Sequence, residues 1–199
     1  MAQANIDVNK LSVLELLKSG QERPFLIPEY QRPYSWSDDE IITLFDDLWE
    51  FSIDHTQPGG AKSYFLGCIV SYKEDKDDSL KQRQIIDGQQ RITSLFLLLR
   101  AIFKKLENED NKTPEVTNFI GKIKPALWKE NEMTGEVDRT QILLTSDVVS
   151  DSGLNFSAIF LKPAKQRKAQ KTIIPRITIS LWNYTRKRLR PAPTKYFIL

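Results

Sequence analysis

The 199-residue chain carries a formal net charge of +3, with 40% apolar and 28% charged residues, and this composition is typical of a globular rather than a disordered protein. A single cysteine, Cys68, excludes an internal disulfide and, with no cysteine pair at metal-ligand spacing, favours a reducing compartment. The N-terminal residues lack the apolar segment of a secretory signal, and no apolar run approaches the length of a membrane span. We therefore expect a cytoplasmic protein without a membrane partner.

Charge is distributed unevenly along the chain. Residues 1–160 contain 18 Lys and Arg against all 26 Asp and Glu, a balance of −8, whereas residues 161–199 contain 11 basic residues and no acid. This change predicts a folded domain over residues 1–160 and a basic tail over residues 161–199. The tail is either an arm that neutralises DNA phosphates, a disordered charged end, or sequence foreign to the preceding domain.

The first two predicted elements are short. Leu11–Lys18 is predicted to be a helix, with Ser12 at its N-cap and Gly20 just past its end. Pro24–Ile27 is a short apolar stretch and predicts a strand.

A longer helix and a second strand follow. Ser37 and Glu40 have the spacing of a capping box, and apolar residues at helical intervals predict a helix that runs to about Ile53. The run Tyr64–Tyr72 is rich in β-formers and predicts a buried strand, in which Cys68 would be a small buried hydrophobic residue.

The second half begins with a strand over Gln82–Ile86, followed by the long helix of the domain. A further helix over Pro114 to about Glu130, with a bend at Pro125, and a strand over Gln141–Leu144 come next. Ser146 to about Phe160 is predicted to be helix or loop. The long helix places one apolar stripe toward the core: Ile92, Leu95, Phe96, Leu99, Ile102, Phe103 and Leu106.

The turn between that strand and the long helix has the chemistry of an anion site. Asp87 and Gly88 end the strand, and the backbone N–H groups at the start of a helix lack partners while the helix dipole favours negative charge. Gly88 permits close approach of a ligand, Gln89 and Gln90 offer amide donors, and Arg91 offers a planar fork suited to phosphate.

The carboxylate of Asp87 could serve this site in three ways. It could hold Mg²⁺ through water, orient an attacking water, or accept a ribose hydroxyl. A plain structural interpretation is also open, in which Asp87 is a helix N-cap and the next residues are ordinary helix formers.

The loop before the first long helix forms a second candidate surface. Two prolines restrict its backbone, and Tyr30, Gln31, Arg32 and Trp36 could stack on bases and bind phosphate oxygens. In the alternative interpretation, Trp36 and its neighbour Tyr34 pack against the following helix.

Three separated motifs occur in one order: IPEYQRPYSW at Ile27–Trp36, YFLGCIV at Tyr64–Val70 and IIDGQQRITSLFLLL at Ile85–Leu99. Together they resemble the N-terminal domain of GmrSD-type, modification-dependent restriction endonucleases, a family that includes the SspE-like proteins that sense phosphorothioated DNA. The resemblance covers roughly residues 10–150. It implies an α+β fold of the ParB/sulfiredoxin type, a small mixed sheet packed with helices, followed here by an incomplete, truncated C-terminal part and a tail that is disordered or not family-derived.

In that family the DGQQR motif, here Asp87–Arg91, is associated with binding and hydrolysis of a nucleoside triphosphate. The resemblance implies that Asp87 and Arg91 are catalytic and that Asp87 contacts Mg²⁺ bound with the nucleotide. The implied nucleotide-binding residues are Gly88, Gln89, Gln90, Arg91 and Arg32. The implied DNA-binding residues are Tyr30, Gln31, Arg32 and Trp36.

The implied function is a nucleotide-hydrolysing regulatory domain of an anti-phage restriction system. A modified-DNA-binding module without hydrolysis and an inactive truncated remnant are the alternatives. His55 is the only histidine, so the chain has no nuclease centre of the HNH type, and we expect a nuclease on a separate subunit or domain.

Overall fold

A computed structural model of the protein describes residues 7–60, 63–73 and 82–148. Its helices are α1 (Val13–Lys18), α2 (Asp38–His55), α3 (Gln89–Glu107) and α4 (Pro114–Leu127), with a 3₁₀ turn at Ser19–Gln21. Its strands are β1 (Phe25–Ile27), β2 (Val70–Tyr72), β3 (Arg83–Asp87), β4 (Trp128–Glu130), β5 (Val137–Ile142) and β6 (Leu144–Ser146). The predicted tail, 161–199, and the segment 149–160 lie outside the described residues.

The main sheet is small and mixed, with the strand order β2-β3-β1-β6. Strand β1 runs parallel to both β3 and β6, whereas β2 is antiparallel to β3. Strands β4 and β5 form a separate antiparallel pair. The predicted class, α+β with a small mixed sheet packed with helices, is confirmed.

One apolar core joins the sheet to three of the helices. Phe25 and Ile85 from the central strands are fully buried with Phe96 of α3, and the same cluster contains Leu17 of α1 and Leu127 of α4. Burial of each such side chain contributes roughly 1.5–3 kcal/mol. The core therefore fixes α3 against the strand that precedes it.

A smaller cluster attaches α2. Ile41 and Phe45 are its buried residues from α2, and Leu98 is the buried residue from α3. Tyr34 and Trp36 of the preceding loop pack against the same cluster. The loop and α2 are thus anchored together on α3.

Local signals located the helix starts correctly. At α1 the Ser12 hydroxyl accepts the Glu15 N–H at 3.3 Å, and the Glu15 carboxylate accepts the Ser12 N–H at 2.8 Å. Ser37 and Glu40 form the predicted capping box at α2. Each such cap contributes about 1 kcal/mol.

The predicted strand Tyr64–Tyr72 is wrong in extent and in burial. Only Val70–Tyr72 is a strand, all three of its residues are exposed, and Cys68 is exposed as well. Gly67 has φ +94°, which interrupts an extended backbone, and among the described strands β2 lies at the edge of the sheet with β3 as its single neighbour. A run of β-formers in an outer strand of a sheet therefore does not become buried.

Two other boundaries differ from the prediction. The helix predicted to reach Glu130 ends at Leu127, because Trp128 is extended and pairs with Ile142. The predicted strand Gln141–Leu144 is split between two sheets at Leu143, whose N–H donates to the carbonyl of Leu127 at 3.1 Å. In the described part of the chain, no helix is both long and apolar enough to cross a membrane.

Candidate functional site

Four chain segments meet where the parallel strands of the main sheet end, at their carboxyl ends; this end of the sheet is called the sheet edge below. Because β1 and β3 are parallel, the loop that follows Ile27 and the turn that follows Asp87 leave from the same edge. Segment 63–69 arrives there as well, since Val70 at the start of β2 pairs with Asp87. Segment 147–148 joins them, where the Asp147 N–H donates to the Ile27 carbonyl at 2.9 Å. Open sheets with parallel strands typically bind ligands at this edge.

The turn after β3 leaves the start of α3 without a cap. Gly88 is the N-cap residue, has φ +83° and accepts the Ile92 N–H at 3.0 Å. No side chain of the described residues caps this helix, and Asp87 is exposed rather than acting as the N-cap. The assignment of Asp87 as the N-cap is therefore wrong, and no side chain of the described residues occupies the first N–H groups of α3, the kind of group that binds anions.

Glycine is required at position 88 by close packing as well as by φ. A Cβ atom there would lie 2.5 Å from Cδ1 of Ile69 and 2.9 Å from the carbonyl oxygen of Cys68. Segment 63–69 thus packs directly on the turn and forms one wall of the corner between β3 and α3.

Arg91 occupies that same wall. Its Nη1 donates to the carbonyl oxygen of Cys68 at 3.0 Å, and a Cβ atom added to Gly67 would lie 2.8 Å from its Cζ. Arg91 as a whole residue is partly buried, and its guanidinium makes one hydrogen bond to the backbone of the described residues. A guanidinium carries five N–H donors in all, so it can bind an anion without leaving this position.

Gln89 and Gln90 point into the protein. Both side chains are buried and bond to the backbone of the loop over residues 28–36, Gln89 to Arg32 and Gln90 to Pro33. The Oε1 of Gln90 also accepts the Ser35 N–H at 2.8 Å. What these two residues offer the corner is their backbone N–H groups.

Within the loop over residues 28–36, the residues predicted to bind DNA divide into two kinds. Tyr30 is 65% exposed and Arg32 is exposed. Gln31 donates from Nε2 to the Ile86 carbonyl at 3.0 Å, which ties the loop to β3. Trp36 is partly buried against the α2 cluster, as the packing alternative predicts.

Electrostatics near the loop reflect burial and capping. Burial raises the pKa of Tyr34 to about 12, although its hydrogen bond to Ser94 acts in the opposite direction. The hydrogen bond from the Ser37 N–H lowers the pKa of Glu40 most, followed by the Ser37 hydroxyl, and the charge of Arg32 lowers it further.

The family model of the GmrSD restriction endonuclease, N-terminal domain, matches residues 13–187. The chain belongs to this family. It is therefore part of a restriction endonuclease system. A search of curated proteins found no match.

The GmrSD match runs beyond residue 160 and includes residues 161–187 of the predicted tail. The division of the chain at residue 160 stays a prediction.

Asp87 is the one carboxylate of the DGQQR motif, Asp87–Arg91. The described residues contain no group of three or more His, Cys, Asp or Glu side chains that could hold a metal ion. A single carboxylate fits Mg²⁺ that arrives bound to a nucleotide. Such an ion is held by one or two carboxylates together with phosphate oxygens and water.

Sequence reasoning missed several residues at this corner of the GmrSD domain. Gly67 leaves room for Arg91, the Cys68 carbonyl holds it, and Asp147 is an exposed carboxylate at the same sheet edge. One signal was present: a glycine inside a run of β-formers often marks a bulge or a close approach of backbone. Asp147 directly follows a strand, which is a weaker signal.

Proposed function

We propose that this domain binds a nucleoside triphosphate at the corner between β3 and α3 and hydrolyses it. Its role is regulatory, within a modification-dependent restriction system directed against phage. The observation that carries the proposal is the uncapped start of α3, at the sheet edge where Asp87 and Arg91 also lie. A helix of 19 residues supplies the full dipole for phosphate binding.

Each residue at the corner has a chemical role in this proposal. The N–H groups of the first turn of α3 bind phosphate oxygens, and Gly88 allows the phosphates to approach the backbone. Arg91 stabilises the negative charge of the transferring phosphoryl group. Asp87 orients the attacking water or contacts Mg²⁺ that the phosphates bring with them. Arg32 lies in the loop across the corner and adds positive charge.

Turnover of nucleotides by the purified chain tests this function. With Mg²⁺ and each of the four ribonucleoside triphosphates in turn, we expect phosphate release from one or more of them. Arg91→Ala should lower kcat by about 10²–10³-fold, the typical effect of removing one group that stabilises transition-state charge. Asp87→Asn keeps the shape of the side chain and should also inactivate the enzyme.

The matched control is Asp110→Asn, an exposed aspartate in the turn after α3. It should retain wild-type turnover. Absence of both binding and turnover with all four nucleotides would refute the proposed function.

A second candidate function is binding of modified DNA without hydrolysis. The supporting observation is Tyr30, an aromatic side chain that is 65% exposed in the same loop as exposed Arg32. Exposed aromatic rings stack on bases, and arginine binds the backbone phosphates. In either function, DNA cleavage of the HNH type would fall to a separate nuclease subunit or domain, because this chain has one histidine, His55, at the end of α2.

A further inference from the structure

We propose that Gln89 and Gln90 are positioning residues: they clamp the loop over residues 28–36 onto α3 and so hold Arg32 at the nucleotide site. This inference rests on the proposed function, because it states how Arg32 reaches that site. It differs from the prediction made from the sequence, in which both glutamines donate hydrogen bonds to the nucleotide.

Consecutive backbone groups of the loop are bound by consecutive side chains of the helix. Nε2 of Gln89 donates to the Arg32 carbonyl at 2.9 Å, and Nε2 of Gln90 donates to the Pro33 carbonyl at 3.2 Å. The Ser35 N–H then donates to Oε1 of Gln90. Gln90 therefore uses both ends of its amide on the loop.

Both glutamine side chains are buried. Gln89 and Gln90 are 7% and 6% exposed, although they occupy the first turn of a helix whose start faces the sheet edge. A buried amide that loses its partner costs more than the bond is worth when formed, so these hydrogen bonds are not readily exchanged for contacts to a ligand.

The clamp continues on both sides of the glutamines. Gln31 is bonded to the Ile86 carbonyl, and the Tyr34 hydroxyl lies 2.7 Å from Oγ of Ser94, which itself donates to the Gln90 carbonyl at 2.8 Å. From Gln31 to Ser35 every residue is thus tied to β3 or α3 through its backbone or its side chain. The side chain of Arg32 is left exposed. Because its backbone is fixed, the Arg32 side chain can reach fewer positions and has less conformational entropy to lose on binding.

Gln90→Met tests the clamp, since methionine has a similar length and removes both hydrogen bonds. We expect KM for the hydrolysed nucleotide to rise by about tenfold, as loss of one or two hydrogen bonds predicts, with kcat changed less. The second variant is Gln89→Met, which removes a single hydrogen bond and serves if Gln90→Met does not fold. It should raise KM in the same direction.

Coupling to Arg32 separates positioning from direct contact. If the glutamine acts through Arg32, the double variant Arg32→Ala with Gln90→Met should have the KM of Arg32→Ala alone. If the double variant instead raises KM by the product of the two single increases, Gln90 contacts the nucleotide itself, and the proposal is overturned. Gln141→Met is the control, because Gln141 also donates a hydrogen bond, to Asp138, but lies on β5.

A measurement made without nucleotide tests the clamp separately from the proposed nucleotide hydrolysis. Hydrogen exchange of the Ser35 amide, followed by NMR, should accelerate at least about tenfold in Gln90→Met, because the Ser35 N–H loses its acceptor. If the wild-type chain binds no nucleotide but Ser35 exchange accelerates, the proposed function fails and the clamp stands. Unchanged exchange at Ser35 in the folded variant would overturn the clamp.

Discussion

Two glycines shape the corner at the level of single residues. Gly67 has φ +94° and Gly88 has φ +83°, values that L side chains rarely adopt, and a Cβ atom at either position would collide with neighbouring atoms. At Gly67 the colliding group is the guanidinium of Arg91, so this glycine controls where the catalytic candidate lies. Gly67 therefore has two roles: it permits the positive φ, and it leaves space for the Arg91 guanidinium.

Gly67→Ala is expected to displace Arg91 and to lower nucleotide turnover, as well as to destabilise the fold. The backbone strain costs about 1–2 kcal/mol, whereas the contact at 2.8 Å from the Arg91 Cζ is relieved by a shift of that flexible side chain. Urea denaturation gives the free energy of unfolding, and phosphate release gives the turnover.

Gly59→Ala is the matched control, because Gly59 has φ +81° and no heavy atom within 4 Å of the added Cβ. It should show the backbone cost alone with normal turnover. Equal stabilities of the two variants, with full turnover in Gly67→Ala, would contradict the assigned role.

At the level of elements, α2 depends on a small contact. It has 18 residues, yet only Ile41 and Phe45 are buried, and α3 contributes the buried Leu98 and the partly buried Ile102 to their cluster. The loop over residues 28–36 leads directly into α2 and shares the same cluster through Tyr34 and Trp36. Packing of α2 is therefore linked to the loop that carries Arg32.

Phe45→Ala is expected to destabilise the protein by about 3 kcal/mol, because a buried phenylalanine is replaced by a cavity. The change should also loosen the loop. Phe65→Ala is the matched substitution at a side chain that is 79% exposed, and it should alter the free energy of unfolding by less than about 0.5 kcal/mol. Denaturation curves of the two variants decide the point. Similar losses in both would show that the α2 cluster contributes little.

At the level of the whole molecule, charge governs interaction with DNA. Residues 1–160 have a balance of −8, which opposes non-specific binding to the phosphate backbone, and residues 161–199 carry 11 basic residues. In the second candidate function, sequence-independent affinity should therefore come from the basic segment, and recognition of a modification from the loop with Tyr30.

DNA binding should consequently have two separable parts. Binding of the full chain to an unmodified duplex should weaken with salt, with a slope of about −0.9 per phosphate contacted. Phosphorothioated duplex of the same sequence should bind more tightly, and Tyr30→Ala should abolish that difference without altering the salt slope. Tyr30→Phe keeps the stacking ring and should behave like wild type. Fluorescence anisotropy over a salt series measures both parts, and identical curves for modified and unmodified DNA would exclude recognition of this modification.

The helix starts at Ser12 and Ser37 and the strand–turn–helix around Gly88 could be predicted because each depends on residues a few positions apart. The uneven charge follows from composition alone. Other features depend on contacts between distant parts of the chain. These are the exposure of Cys68, the break between two sheets at Leu143 and the inward direction of Gln89 and Gln90. Gln90 and Ser35 are 55 positions apart, and only the parallel pairing of β1 with β3 brings the loop and the helix start together. A glutamine beside an anion site looks the same in sequence whether it binds the ligand or the loop, since its amide serves either partner equally well.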